Sequence, residues 1–216
     1  ELFEMPAIVT NATYGIPKII PITEDQPCHP INPYGDSKLF VEKVLKWYGM
    51  GYNLNWIALR YFNAAGADPD IEIGEEHSPE THLIPLAINT ALGKRSVLEV
   101  YGTEYPTKDG TAVRDYIHVS DLACAHIKSI DYLLNGGESK IMNLGNGIGY
   151  SVYDIIRSVE KFASISIPVK VKNNRQGDPP VLVAVADKAK KILNWELEYK
   201  SIDSIIETAW NWHKKK

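Results

Sequence analysis

The sequence predicts an α/β fold with a largely parallel sheet. Short apolar runs alternate with amphipathic stretches, several of those runs are continuously apolar, and no internal repeat or low-complexity segment interrupts them. In order, Ala7-Ile8-Val9 reads as a buried strand ending at polar Thr10 and Asn11. Residues 15–34 carry five prolines and read as an irregular surface loop. A helix is expected from Tyr34 to Trp47. Leu39, Val41, Val44, Leu45 and Tyr48 fall near helical spacing there, with Lys38, Glu42, Lys43 and Lys46 between them. Gly49 and Gly51 are expected to stop it. Asn55 to Tyr61 is a continuous strand, and residues 64–82 form a loop rich in Gly, Pro and acids. His82 to Leu92 reads as a helix closed by Gly93, and Leu98 to Tyr101 alternates like a strand. Ser120 is expected to cap a helix from Asp121 to about Leu134, ended by Asn135-Gly136-Gly137. Ile141 to Leu144 is a strand, Ser151 caps a helix from Val152 to Phe162, and Val169 to Val171 is a strand. Asp187 to Leu193 forms a short helix, and Ser201 starts the last, which ends at Trp210-Asn211-Trp212, two packing tryptophans.

Composition removes several classes of function. The 216 residues are 44% apolar with five tryptophans, enough to fill a core and too apolar for a disordered chain. No run approaches the ~18 apolar residues of a membrane span. A net charge of −4 with scattered basic residues argues against nucleic acid as a partner. Cys28 and Cys124 are far apart and outside any metal-ligand spacing, so no disulfide framework is expected. Acidic Glu1-Leu2-Phe3-Glu4 does not read as the start of a signal peptide, and a cytoplasmic location is expected. His118 and His126 lack a third ligand at metal spacing; they are expected to be core or hydrogen-bonding residues, with no metal site.

Tyr34-Gly35-Asp36-Ser37-Lys38 carries the sharpest chemical signal. Tyr34 and Lys38 lie one helical turn apart and face the same way. A free phenol has a pKa near ~10, so a tyrosine base at neutral pH needs roughly 4 kcal/mol in favour of the phenolate. One ammonium at ~4 Å supplies about that much at an effective dielectric near 20. Tyr34 is therefore a reasonable base for a sugar or alcohol hydroxyl.

Further motifs follow in a characteristic order. They are Thr10-Asn11-Ala12-Thr13-Tyr14-Gly15, Asn32-Pro33 before Tyr34, Leu59-Arg60-Tyr61-Phe62-Asn63, Gly102 to Thr111, Arg114-Asp115-Tyr116-Ile117-His118-Val119, Asn143-Leu144-Gly145 with Ser151-Val152, and Arg175-Gln176-Gly177-Asp178. In this the chain resembles the extended short-chain dehydrogenase/reductase superfamily, and within it the UDP-glucose 4-epimerase family. The resemblance implies a Rossmann-like, NAD-binding α/β fold, with residues 1–66 in the Rossmann-like domain. Residues 67–216 would form mainly a smaller sugar-nucleotide domain that crosses back to the first sheet.

It also implies a redox-neutral reaction. Tyr34 takes the proton of the sugar 4-hydroxyl, hydride passes from C4 to NAD, and hydride returns to the other face of the turned keto sugar. Lys38 would hold the nicotinamide ribose and favour the Tyr34 phenolate. Thr10 would hydrogen-bond the reacting hydroxyl, and Tyr61 would lie beside the nicotinamide. Asn63, Arg114 and Arg175 match residues at the UDP diphosphate, a role that fork-shaped guanidinium groups suit. His82 and Leu83 would contact the nucleotide, Tyr101 the uracil and Asp178 a ribose hydroxyl, with Val152 among the substrate-binding residues. Leu182 either borders the sugar 2-position or packs in the core beneath it. A homodimer is expected of the complete protein.

The family's glycine-rich strand–turn–helix for the NAD pyrophosphate is not found in these 216 residues. Gly145-Asn146-Gly147-Ile148-Gly149 has the wrong spacing, lies far downstream, and reads as a turn. The chain begins with Glu rather than Met, and roughly 100 residues are expected to precede it. The stretch before Thr10 departs from the family's usual run, and Asn11 stands where a small residue is usual. A fragment that is inactive alone and retains no NAD is the expectation. A nucleotide-sugar 4,6-dehydratase would need an Asp-Glu pair after Thr10, where Asn11 and Ala12 stand. Epimerases of UDP-xylose, UDP-arabinose or UDP-N-acetylglucosamine, and a non-catalytic sugar-nucleotide-binding fragment, remain alternatives.

Overall fold

The computed structural model describes residues 5–175 and 177–216, with side chains from residue 9 onward. Gln176 of the Arg175 to Asp178 motif lies outside the described residues, as do residues 1–4.

The first sheet is three-stranded and parallel. β2 (Trp56–Tyr61) lies between β1 (Met5–Thr10) and β6 (Lys140–Leu144), so the chain crosses back late to complete it. β2 is buried on both sides, which explains its unbroken apolar run. Trp56 and Ala58 face Val9 and Leu45 of α1 (Pro33–Tyr52), whereas Ile57 and Leu59 face a second cluster with Met142, Leu144 and Trp195. α3 (Val119–Leu134) and α5 (Asp187–Leu193) pack over that second face.

A second sheet follows. β3 (Asn63–Ala65) pairs parallel with β5 (Val113–His118), which also pairs antiparallel with β7 (Gly149–Ser151) and parallel with β9 (Val181–Leu182). β4 (Leu98–Tyr101) pairs with β8 (Val169–Lys172). α2 (Leu83–Ala91), α4 (Val152–Ala163) and α6 (Ile202–Lys215) close a separate core around Ile88, Val100, Tyr116, Ile155 and Ile205.

Four expectations are corrected. α1 runs through Gly49 and Gly51 to Tyr52 and ends on Asn53 in the left-handed conformation, because packing against β1 and β2 outweighs the weak helix propensity of two glycines. Its buried residues are Gly35, Glu42 and Leu45, so Glu42 lies inside and Tyr48 is exposed. α3 starts two residues early, at Val119, capped by the His118 side chain, which accepts from the Ser120 N–H, rather than by Ser120. β3, β5, β7 and β9 are strands the sequence does not announce, being short or broken by charged residues, and β3 takes the start of the stretch expected as a loop from residue 64.

Asp115 of β5 ties the second sheet together. Its fully buried carboxylate accepts from the backbone N–H groups of Asn146 (2.8 Å), Gly147 (3.0 Å) and Ala184 (3.1 Å). Gly145 makes room for it, since a Cβ there would stand 2.6 Å from the carboxylate. Burial pushes the Asp115 pKa up to about 6, against the pull of those three N–H groups. The folded state therefore holds this proton above the unfolded value of ~3.9, and the stability linked to it is lost as pH rises towards 6. We expect the stability of the protein relative to its Asp115→Asn variant to fall by about 2 kcal/mol between pH 4 and pH 6.5. Urea unfolding at a series of pH values measures this, and a pH-independent difference contradicts it.

Candidate active site

The carboxyl ends of β1 and β2 open into a cleft of about 820 Å³. Ligands of open α/β sheets bind at such strand ends. Thr10, Tyr34, Tyr61, Asn63, His82 and Leu83 all line it. Thr10 ends β1 and donates its hydroxyl to Asn11 Oδ1 at 3.1 Å. The turn that follows is held by Thr13 Oγ1 donating to the Thr10 carbonyl at 3.0 Å.

Tyr34 lies in the first turn of α1, and local chemistry fixes that turn. Asn32 is the N-cap and accepts from the Gly35 N–H at 2.8 Å, while Pro33 occupies the first helical position. Gly35 lets α1 approach the turn after β1: a Cβ there would stand 2.4 Å from the Ala12 carbonyl oxygen. Tyr34 is exposed towards the cleft. The Lys38 ammonium lies 5.5 Å from the Tyr34 ring centre, outside the cleft wall itself. Burial, reinforced by the charge of Tyr34, pushes the Tyr61 phenol pKa up, so Tyr61 stays a neutral donor.

Beneath the cleft, α1 is pinned to β2. Arg60 Nε and Nη2 donate to the two carboxylate oxygens of Glu42, each at 2.7 Å, with both side chains at most 4% exposed. Burial works against the Arg60 charge, but the Glu42 hydrogen bonds and charge hold its pKa above the usual value. Its guanidinium lies 4.7 Å over the Tyr14 ring, and the Tyr14 hydroxyl donates to Asn143 Oδ1 at 2.7 Å.

The remaining candidates form a second group. Arg114 pairs with Asp178, and the Arg175 guanidinium stacks 4.2 Å over the Tyr101 ring. The Tyr105 hydroxyl is buried beside Arg114, Arg175 and Asp178 without a hydrogen-bond partner among the described residues. Leu182 stands opposite Arg114 in register and packs against the cluster of Tyr14, Ile22, Phe62 and Ala184. Val152 starts α4, where its N–H donates to Thr111 Oγ1, and it packs against the second core away from the cleft.

Tyr116 carries no role in the sequence reading, although it stands in the Arg114 to Val119 motif. It pairs across the sheet with Asn63, lines the cleft, and burial pushes its phenol up to about 12. His118 is buried and stacks on Tyr199, its Nε2 2.9 Å from Thr208 Oγ1.

A family model described as GDP-mannose 4,6 dehydratase matches residues 3–208. The chain belongs to that family. It is 51% identical over 205 residues to the UDP-glucose 4-epimerase of Lacticaseibacillus casei, covering 95% of this chain and 62% of that one. The crystal structure of UDP-glucose 4-epimerase from Brucella ovis in complex with NAD superposes with a TM-score of 0.92 at 47% identity, covering 95% of this chain and 63% of that one. UDP-glucose 4-epimerase from Bifidobacterium longum in complex with NAD+ and UDP gives a TM-score of 0.90 at 39% identity, covering 98% and 64%. The fold is thus the Rossmann-like α/β fold of these epimerases, and the chain spans less than two thirds of their length. Among the described residues no helix is long and apolar enough to cross a membrane.

Proposed function

We propose that this chain supplies the catalytic and sugar-nucleotide-binding part of an NAD-dependent UDP-glucose/UDP-galactose 4-epimerase. The observation that carries this reading is Tyr34, backed by Lys38, facing a cleft shared with Thr10 and Asn63. Asn11 and Ala12, neither acidic, follow Thr10 and argue against the 4,6-dehydration that the family model's description suggests.

The residues present fit a nicotinamide ribose. Tyr34 and Tyr61 lie together at the strand ends, with the Lys38 donor one turn behind Tyr34. When bound, NAD supplies a hydride acceptor that can return the hydride to either face of the sugar. Tyr34 takes the 4-hydroxyl proton and gives it back. Thr10 orients that hydroxyl, and Lys38, one turn behind Tyr34, offers its ammonium to the nicotinamide ribose. Arg114, Arg175 and the unpartnered Tyr105 hydroxyl offer donors to a diphosphate, Tyr101 a face for the uracil and Asp178 an acceptor for ribose. His82, Leu83 and Asn63 line the cleft and, in this reading, contact the nucleotide. Exposed Phe40, Trp47, Tyr48 and Tyr52 on α1 offer an apolar face for the expected homodimer.

Incubating the full-length protein with UDP-galactose tests this reading: UDP-glucose should accumulate to equilibrium. UDP binding without turnover when NAD is supplied would leave a sugar-nucleotide-binding protein instead.

Leu182 sets substrate width in this reading from behind the cleft wall, packed against the cluster to which Phe62 of that wall belongs. Its intermediate size should favour UDP-galactose over UDP-N-acetylgalactosamine by about 10–200-fold in kcat/KM. Leu182→Tyr should widen that ratio further. An unchanged ratio makes Leu182 a core residue.

A further inference from the structure

We propose that Glu75, His77, Glu80 and His82 bind one divalent transition-metal ion of zinc-like preference, fastening the loop that walls the cleft. The four residues each offer one ligand atom, and these atoms all lie within 4.8 Å of one another. His77 Nδ1 is 2.9 Å from Glu75 Oε1 and 3.9 Å from Glu80 Oε1, and His82 Nδ1 is 3.7 Å from Glu80 Oε1 and in contact with Glu75 Oε1. Tetrahedral ligands about ~2.1 Å from an ion stand roughly 3.4 Å apart, so the separations bracket those of a bound site. The two imidazoles meet edge to face, with centres 5.2 Å apart, which leaves both Nδ1 atoms free to converge.

Charge points the same way. Glu75 and Glu80 side chains are only 20% and 12% exposed, and both histidines aim Nδ1 at the same Glu75 oxygen. Two carboxylates and two neutral imidazoles exactly offset by a dication would leave no net charge in this half-buried place. Two nitrogen and two oxygen donors suit zinc, nickel or copper, whereas magnesium and calcium prefer oxygen alone.

The surroundings hold the ligands in position. Glu80 Oε1 accepts from the N–H groups of Thr81 (2.7 Å) and His82 (2.8 Å). The Glu75 carbonyl accepts from Trp212 Nε1 at 3.1 Å, and Gly74 lies flat on the same indole, where a Cβ would come within 2.4 Å. Just past α6, Lys216 is engaged by Glu76 and so does not occupy the cluster. His77 and His82 are more than half exposed, giving an ion a way in. The sequence reading expected no metal because it weighed His118 and His126 and passed over this loop. His82 is shared with the nucleotide contact proposed above, so the ion is read with zinc alone, in the absence of any nucleotide.

The test is calorimetric titration of the chelator-treated full-length protein with zinc at neutral pH. We expect one equivalent to bind, His77→Ala and Glu80→Gln each to weaken it at least ~10-fold, and His126→Ala to leave it unchanged. Excess magnesium should not compete. No binding, or binding that both loop substitutions leave intact, overturns the site. Circular dichroism of the variants separates lost ligation from lost folding.

Discussion

Replacing Tyr34 with phenylalanine in the full-length protein should lower epimerisation by ~10²–10⁴-fold, the usual loss for a positioned proton-transfer group. UDP affinity should barely change, because the nucleotide contacts proposed for Arg114, Arg175, Tyr101 and Asp178 lie in the second group of residues, away from Tyr34. The substitution removes one oxygen and leaves α1 intact, since the Tyr34 side chain is exposed and the first turn is held by Asn32, Pro33 and Gly35. Steady-state rates and a UDP titration measure the two quantities. Near-normal turnover would remove Tyr34 as the base.

Glu42→Gln should destabilise the fold by about 3–5 kcal/mol, the cost of leaving a buried charge without its partner. Arg60 is 3% exposed and has no other carboxylate hydrogen-bonded to it among the described residues. Pairing Glu42→Gln with Arg60→Met should recover much of the loss, because the uncompensated charge then disappears. Urea unfolding of the single and double variants measures the coupling. A single-variant loss below about 1 kcal/mol would mean the pair does not pin α1. Since α1 carries both Tyr34 and Lys38, a folded Glu42→Gln protein should also turn over slowly.

Much of the scaffold was legible in the residues. The continuous apolar run before Tyr61 announced a strand covered on both faces, and Ser151 caps α4 as expected, in a capping box that Asp154 completes. The spacing of Tyr34 and Lys38 also survives as a one-turn pair. The Glu42–Arg60 pair was hidden because periodicity treats every charge as solvent-facing. An arginine inside an otherwise apolar strand was the available signal, since it demands a buried acid nearby. Tyr116 was missed for a related reason: its cleft-facing side depends on how β5 registers with β3, which no local pattern encodes. The grouping of Arg114, Arg175, Tyr101 and Asp178 depends on long-range pairing of β5 with β9, again beyond local reading.

The central claim is reversible oxidation at C4 of a UDP-hexose with hydride kept in the cleft. Incubating the full-length protein with UDP-galactose deuterated at C4, and following the sugar protons by NMR, tests it most directly. The account predicts UDP-glucose that still carries deuterium at C4. UDP-glucose with hydrogen from solvent at C4, or no UDP-glucose at all, would contradict it.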